Sequence, residues 1–207
     1  MSDLVPHTLS FTRRKLPHWL VADATYFVTT RLKGSLPRDV TARLKLERDA
    51  LLEKEPPHSP EMLELERRQF HIIDGILDRC GQGPTWLAQS CIAEQVIRSL
   101  PWLCRRGWNV RAVLMPNHMH LLMRNHSGRT ARLTSDLGQL KSFSGQAANS
   151  LLHRKGAFWM PENFSHWCRT DEKSEWAWRY MLQNPVAAGL VRSTEDWPWL
   201  FQMEHVE

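Results

Sequence analysis

Strand-forming patterns of apolar and polar residues occur in two parts of the chain, and each predicts β-strands. β-Branched and aromatic residues dominate 25–32, which predicts one strand. Apolar and polar positions alternate over 108–115, and 118–123 continues as a further strand after Pro116-Asn117, a turn sequence. The sequence therefore predicts an early strand and, later, a strand pair joined by a short turn.

Apolar residues at helical spacing predict helices on either side of this strand pair. They cover 91–103, a long segment from 133 to an end near Gly156, and a last segment over 171–184, which Pro185 is expected to end. Thr170 is suited to cap the last helix. The order strand, helix, strand, strand, helix predicts an α+β domain, in which an antiparallel sheet carries helices against one face.

Two charged, leucine-containing stretches predict additional helices after the first strand. The first covers about 39–55 and the second about 61–70, with prolines between them. We interpret them as a helical hairpin inserted at about 39–70 into a single domain of residues 1–207. Their many charged residues predict a solvated face, and we expect no part for this hairpin in the chemistry.

Composition indicates an ordinary globular protein and excludes a membrane-spanning helix. The 207 residues are 42% hydrophobic and 24% charged. No apolar run reaches the roughly 18 to 20 residues that a membrane span requires. The beginning of the chain lacks the apolar segment of a secretory signal, so we expect a cytoplasmic protein. The net charge of +5 and pI of 9.3 weakly favour a polyanionic partner.

Ten tryptophans are many for a chain of this length. Indole rings can stack on exposed nucleobases, but most tryptophans are expected to pack in the core. This expectation applies first to those that have apolar neighbours in the sequence, namely Trp19, Trp86, Trp102 and Trp108.

The His118-Met119-His120 sequence lies in the second strand of the pair. Successive strand residues point to opposite faces, so His118 and His120 share one face while Met119 and Leu121 line the other. Two neutral imidazoles at this spacing can chelate one divalent cation. Two half-buried histidines with hydrogen-bonded neighbours would explain the pattern equally well.

The last predicted helix contains Tyr180, one of two tyrosines. Its helical neighbours at spacings of four are Trp176 and Asn184. A tyrosine hydroxyl can attack phosphorus and form a covalent phosphotyrosine, and the Asn184 carbonyl oxygen could complete the ligand set of a nearby metal. By itself, Tyr180 is also explained as a helix residue with a packed ring and a solvated hydroxyl.

Short motifs in a fixed order carry a resemblance over nearly the whole chain. They are Leu16-Pro17-His18-Trp19, 24–29, Leu77-Asp78, Gly83-Pro84, Trp86-Leu87, 92–94, 115–122 with Pro116-Asn117-His118-Met119-His120 at its centre, Leu140-Lys141-Ser142-Phe143, 156–159 and 180–191. In this order they resemble the REP-associated tyrosine transposases, relatives of the small single-tyrosine transposases with HUH motifs (REP, repetitive extragenic palindrome).

The resemblance implies a ferredoxin-like core and an enzyme acting on single-stranded DNA hairpins of REP type. It implies His118 and His120 as ligands of Mg²⁺ or Mn²⁺, Asn184 at the position of a third ligand, and Tyr180 as the nucleophile. Cleavage would give a 5′-phosphotyrosine and a free 3′-hydroxyl, and the reverse reaction would rejoin the strand. The protein would act as a monomer or homodimer.

The same resemblance places Lys141 in a helix that lies along the DNA. We further expect Arg154 and Lys155 to bind the phosphate backbone, with an affinity that falls as salt rises.

Two positions depart from the family pattern, Ser165 and Thr170, where relatives often have aspartate. These changes leave open a protein of the same fold that binds hairpin nucleic acid but has lost cleavage. A further alternative is a metal-dependent phosphodiesterase that uses water and does not need Tyr180.

Overall fold

The computed structural model describes residues 8–13, 17–21, 24–56, 59–125 and 132–204. Its strands are β1 (Thr8–Arg13), β2 (Pro17–Val21), β3 (Thr25–Arg31), β4 (Trp108–Leu114), β5 (His118–Asn125), β6 (Phe164–Cys168) and β7 (Leu200–Met203). Its α-helices are α1 (Arg38–Leu52), α2 (Pro60–Asp78), α3 (Ser90–Ile97), α4 (Pro101–Arg105), α5 (Leu133–Leu151) and α6 (Asp171–Ala187). Short 3-10 helices lie at Trp86–Ala88 and Thr194–Asp196.

Five strands form one antiparallel sheet in the order β6-β3-β5-β4-β7, and β1 pairs with β2 separately. The first four strands in this order, with α3 and α4 before β4 and α5 before β6, have the connections of a ferredoxin-like fold. The prediction of an α+β fold with a ferredoxin-like antiparallel sheet is therefore confirmed.

The two faces of the sheet are covered by different helices. Met119, Leu121 and Met123 of β5 pack in one hydrophobic cluster with residues of α3, α4 and α5. Phe27 and Leu122 point to the other face and pack against α6. The predicted alternation of β4 and β5 is confirmed, whereas the prediction of helices on one face holds only for α3 to α5. The apolar residues of the second face require α6 as cover.

The inserted helical hairpin consists of α1 and α2, and α2 is longer than predicted. The expected end near Phe70 is wrong, because α2 continues to Asp78. Ile73 and Leu77 pack with Leu44 of α1 in a small core of their own. This packing keeps the last two turns of α2 helical despite Gly75, a residue that lowers helix stability.

Prolines affect two other helix boundaries differently from the predictions. The expected helix over 91–103 is divided into α3 and α4, and Pro101 begins α4. Pro185 does not stop the last helix, since α6 runs through it to Ala187. The residues after the proline are held by backbone hydrogen bonds, since Ala188 N–H donates to the Asn184 carbonyl and Leu190 N–H to the Pro185 carbonyl. The predicted cap is confirmed, as Thr170 Oγ1 accepts from Lys173 N at 3.3 Å.

No helix in the described ranges is both long enough and apolar enough to cross a membrane. The expected packing of the tryptophans is confirmed for Trp108, which is fully buried, and for Trp86 and Trp102, which pack against the core. The Trp19 side chain lies outside the described part of the chain.

A buried hydrogen bond joins β4 to α5. Trp108 Nε1 donates to Asp136 Oδ2 at 2.8 Å, and Arg106 Nε lies 3.3 Å from Asp136 Oδ1. Both Trp108 and Asp136 are almost fully inaccessible to solvent. A buried carboxylate without partners would be costly, so this indole supports the docking of α5 on the sheet.

We expect Trp108→Phe to lower the free energy of unfolding by about 1–3 kcal/mol, because a buried carboxylate oxygen loses its donor. Urea denaturation followed by circular dichroism measures this loss. Trp102→Phe, a change in a half-buried ring, is the matched control and should lose less. Equal losses in the two variants would contradict the role given to the Trp108–Asp136 bond.

Candidate metal centre and tyrosine

The turn between β4 and β5 sets the position of the paired histidines. Met115 N donates to the His118 carbonyl at 2.9 Å, so β5 begins at His118. His118 and His120 are both fully buried and share one face of β5. Their Nε2 atoms lie 2.9 Å apart. This confirms the predicted juxtaposition of the two imidazoles.

Asn117 determines the tautomer of His118, that is, which of its two ring nitrogens carries the proton. The Asn117 amide nitrogen donates to the Leu77 carbonyl at 3.1 Å, which leaves its Oδ1 to accept from His118 Nδ1 at 2.7 Å. Nδ1 therefore carries the proton, and His118 Nε2 is left as an acceptor. Metal-ligating histidines are usually oriented in this way, by a hydrogen bond from the ring nitrogen that does not bind the metal.

His120 is held in a similar way from the neighbouring strand. Its Nδ1 lies 2.9 Å from Thr29 Oγ1, a residue that β3 places directly opposite His120. The Phe27 ring stacks on the imidazole at a centroid distance of 5.3 Å. Both imidazoles are thus fixed by buried neighbours, and their Nε2 atoms converge on one point.

Asp78, the last residue of α2, lies opposite the histidine pair. Its Oδ1 is 3.4 Å from His118 Nε2 and 3.8 Å from His120 Nε2. This oxygen is buried and has no hydrogen-bond partner among the described residues. Asp78, His118 and His120 form a cluster that could hold a divalent metal ion. Two nitrogens and one unpartnered carboxylate oxygen are a donor set that suits such an ion.

The charges of these groups favour a cation at the same point. Burial and the neighbouring His120 lower the pKa of His118, which keeps this imidazole neutral. The Asp78 carboxyl is half-buried, and its Oδ1 faces both imidazoles. A carboxylate oxygen and the His118 Nε2 lone pair thus face one another beside the second imidazole, an arrangement that a cation would stabilise.

The Tyr180 hydroxyl lies beside this cluster and is held by two carboxylates. It donates to Asp74 Oδ2, and it lies 3.2 Å from Asp78 Oδ2. The Tyr180 and His120 rings are 6.1 Å apart. Burial, followed by the two carboxylates, raises the pKa of Tyr180 far above its ordinary value. The hydroxyl is therefore protonated and oriented by hydrogen bonds.

Asn184 lies in the helix, one turn after Tyr180, although it precedes a proline. Its side chain is buried, and its amide nitrogen has no hydrogen-bond partner in the described part of the chain. The carboxylate that reaches the two histidines is that of Asp78. Asn184 as a metal ligand stays a prediction.

The three predicted DNA-binding residues, Lys141, Arg154 and Lys155, differ in their contacts within the protein. Lys141 Nζ donates to the Met160 and Pro161 carbonyls and to Asn163 Oδ1, at 2.9, 2.6 and 2.9 Å. Burial lowers the pKa of this ammonium to about 8. Its three donors thus connect α5 to the segment before β6, and its predicted contact with DNA remains a prediction.

Arg154 packs its guanidinium over the Trp86 ring, 4.0 Å from the centroid, and donates to Asn149 Oδ1 at 2.5 Å. Lys155 is exposed. α5 packs on the sheet face opposite the histidines, so DNA that reaches both would have to pass around an edge of the sheet. Contacts of Arg154 and Lys155 with DNA remain predictions.

The two departures from the family pattern lie in different settings. Thr170 caps α6, ten residues before Tyr180 and therefore about 15 Å along the helix. A hydroxyl performs this capping role as well as a carboxylate does. Ser165 pairs with Val28 in the sheet.

Sequence reasoning missed Asp74 and Asp78 as site residues. The expectation that the helical hairpin has no part in the chemistry is wrong in this respect, because α2 brings both carboxylates to the histidines and to Tyr180. One signal was available, since aspartates four apart share a helix face and Leu77-Asp78 belongs to a family motif. The early predicted end of α2 concealed that signal.

Comparison with solved structures finds the same fold in a REP-associated tyrosine transposase bound to a REP hairpin. The match covers 93% of this chain and 82% of the other, with a TM-score of 0.52 and 16% sequence identity. At this identity the likeness shows the fold, and the resemblance inferred from the motifs is confirmed at that level. No protein-family model matches the chain, and no curated protein matches its sequence.

Replacing Lys141 tests its structural role. We expect Lys141→Met to lose about 1.5–3 kcal/mol of unfolding free energy, because hydrogen bonds to a charged donor disappear and three acceptors lose their partner. Lys155→Met removes the same charge at an exposed position and is expected to change stability by less than about 0.5 kcal/mol. Equal stability of the two variants in urea would contradict this role.

Manganese titration by calorimetry tests the metal site. We expect Asp78→Ala and His118→Ala each to weaken Mn²⁺ binding at least about tenfold, because each removes a converging donor. His71→Ala is the control, since His71 is exposed on the same helix as Asp78. Asn184→Ala tests whether the third ligand is Asn184 or Asp78. Full binding by Asp78→Ala, with loss in Asn184→Ala, would assign that position to Asn184.

Proposed function

We propose that this protein cleaves and rejoins single-stranded hairpin DNA of REP type through a 5′-phosphotyrosine at Tyr180. His118, His120 and Asp78 would hold the divalent cation, Mg²⁺ or Mn²⁺. Hard cations of this kind accept carboxylate oxygens readily and tolerate imidazole nitrogens. Support comes from the geometry of the site together with the fold shared with a hairpin-bound transposase.

The observation that carries the proposal is the position of the Asp78 carboxylate. One of its oxygens lies 3.4 Å from His118 Nε2, and the other lies 3.2 Å from the Tyr180 hydroxyl. A single side chain thus links the cation site to the nucleophile. A tyrosine that served only packing would not require two carboxylates at its hydroxyl.

In the cleavage step, Tyr180 acts as the nucleophile and Asp74 as the proton acceptor. Tyr180 Oη forms a bond to the scissile phosphorus, and the bond from phosphorus to the 3′ oxygen breaks. Asp74, which accepts the hydrogen bond from Tyr180, is placed to take the phenolic proton. The 3′ oxygen takes a proton from water. When bound, the cation would neutralise charge on the phosphate and orient it for in-line attack.

Rejoining uses the same groups in the opposite direction. A 3′-hydroxyl gives its proton to water as it attacks the phosphotyrosine, and the phenolate leaving from phosphorus recovers its proton from Asp74. The energy of the phosphodiester is retained in the covalent intermediate, so no nucleotide cofactor is required.

All proposed groups come from one chain, since α2, β5 and α6 meet around the same point. A monomer therefore contains a complete site of this kind. A homodimer would be needed only for holding two DNA ends.

A hairpin-binding protein without cleavage is the second candidate. The observation that favours it is the Tyr180 hydroxyl, whose pKa is raised far above its ordinary value by burial and by the two carboxylates. In such a protein the tyrosine would be a fixed hydrogen-bond donor. DNA binding would then persist in variants that lack Tyr180, His118 and His120.

The covalent intermediate is the direct test. The protein is incubated with labelled single-stranded hairpin DNA, with Mn²⁺ or with EDTA, and analysed on a denaturing protein gel. We expect a metal-dependent band of protein joined to DNA, because the phosphotyrosine bond survives denaturation.

Tyr180→Phe is the matched variant, since it removes only the hydroxyl, and it should form no band. Tyr26→Phe is the control, because Tyr26 lies buried in β3 and should leave the band intact. Cleavage by Tyr180→Phe would establish a phosphodiesterase that uses water. Tight binding without any band would favour the hairpin-binding protein.

A further inference from the structure

Trp176 is the exception among the tryptophans. Of the described residues, it is the one large aromatic side chain that is exposed, with 62% of its surface accessible. Its place in the fold, beside the proposed nucleophile, suggests which molecule this indole could contact.

The exposed indole lies directly beside the proposed nucleophile. Trp176 precedes Tyr180 by one helical turn on α6, and the two rings are parallel within 5° at a centroid distance of 5.6 Å. Tyr180 thus covers one side of the indole, while most of the ring remains in solvent. A further flat ring could extend this stack outward from the site.

Charges around Trp176 suit a nucleic-acid backbone on two sides. Lys173 and Arg179 lie three residues before and after it on the same helix, and both are exposed. Glu172 shares this surface and is also exposed. Two cations on either side of a flat apolar ring match the alternation of phosphate and base in a single strand.

We infer that Trp176 is the stacking platform for an unpaired base next to the scissile phosphate of single-stranded DNA. This inference rests on the proposed function, because it places the strand at Tyr180. Stacking on the indole would position the backbone for attack and would tolerate any of the four bases, since each offers a flat face. The platform therefore predicts a contact with one unpaired base beside the scissile phosphate. Any preference for a particular base would come from other residues.

The test uses hairpins with single-stranded flanks in which 2-aminopurine replaces one flanking base at a time. All proteins carry Tyr180→Phe, which keeps the ring stack and prevents covalent attack. We expect the fluorescence of the probe to be quenched on binding at one or two positions. With Trp176→Ala this quenching should disappear, and affinity should fall roughly 5- to 150-fold, as for the loss of one stacked base.

Two matched variants accompany this measurement. Trp176→Phe keeps a flat ring and should retain most of the quenching and affinity. Leu46→Ala removes an apolar side chain that is 70% exposed on α1, and it should bind as the parent protein does. Because Trp176 is exposed, its replacement should leave the fold intact, which circular dichroism checks.

The outcomes separate this inference from the proposed function. Trp176→Ala with unchanged affinity and quenching overturns the platform, whereas the proposed cleavage stands if the covalent band still forms with Tyr180 present. Failure of the parent protein to bind single-stranded DNA overturns both. Equal losses in Trp176→Ala and Leu46→Ala would also overturn the platform, because the effect would then not depend on the ring.

Discussion

A half-buried carboxylate, whose buried oxygen faces two buried imidazoles, is the interaction on which the arrangement of this protein depends. Removing the Asp78 carboxylate from water is costly unless opposite charge or donors replace the solvent. Its Oδ1 meets only the Nε2 side of His118 and His120, and Asn117 makes the nearer nitrogen an acceptor. A cation among these three donors resolves the conflict.

Three separate parts of the fold have to meet to bring Asp78, the two histidines and Tyr180 together. The sheet contributes the histidines, because β5 is a central strand and its partner β3 supplies Thr29 behind His120. The helical hairpin contributes the carboxylates, and its own small core fixes the end of α2. The last helix covers the same face of the sheet and brings Tyr180 to those carboxylates. The insertion is thus part of the site, and its removal would leave the histidines without their anionic partner.

The sequence predicted the central part of this arrangement well because period-two patterns are unambiguous. The shared face of His118 and His120 followed from strand alternation alone, whereas Tyr180 was singled out by the resemblance to the transposase family. Asp74 and Asp78 were missed for a physical reason. Their helix continues through Gly75 only because Ile73 and Leu77 pack against α1, and such tertiary packing leaves no local signal. The extension of α6 through Pro185 depends instead on backbone hydrogen bonds that form after the proline.

Anomalous diffraction from crystals soaked in Mn²⁺ tests the central claim most directly. The account predicts one strong peak at coordination distance, about 2.0–2.3 Å, from His118 Nε2, His120 Nε2 and an Asp78 oxygen. The peak should be lost in crystals of Asp78→Ala. A peak that contacts the histidines but persists in Asp78→Ala would remove the carboxylate from the site. Absence of any peak at the histidines would contradict the account as a whole.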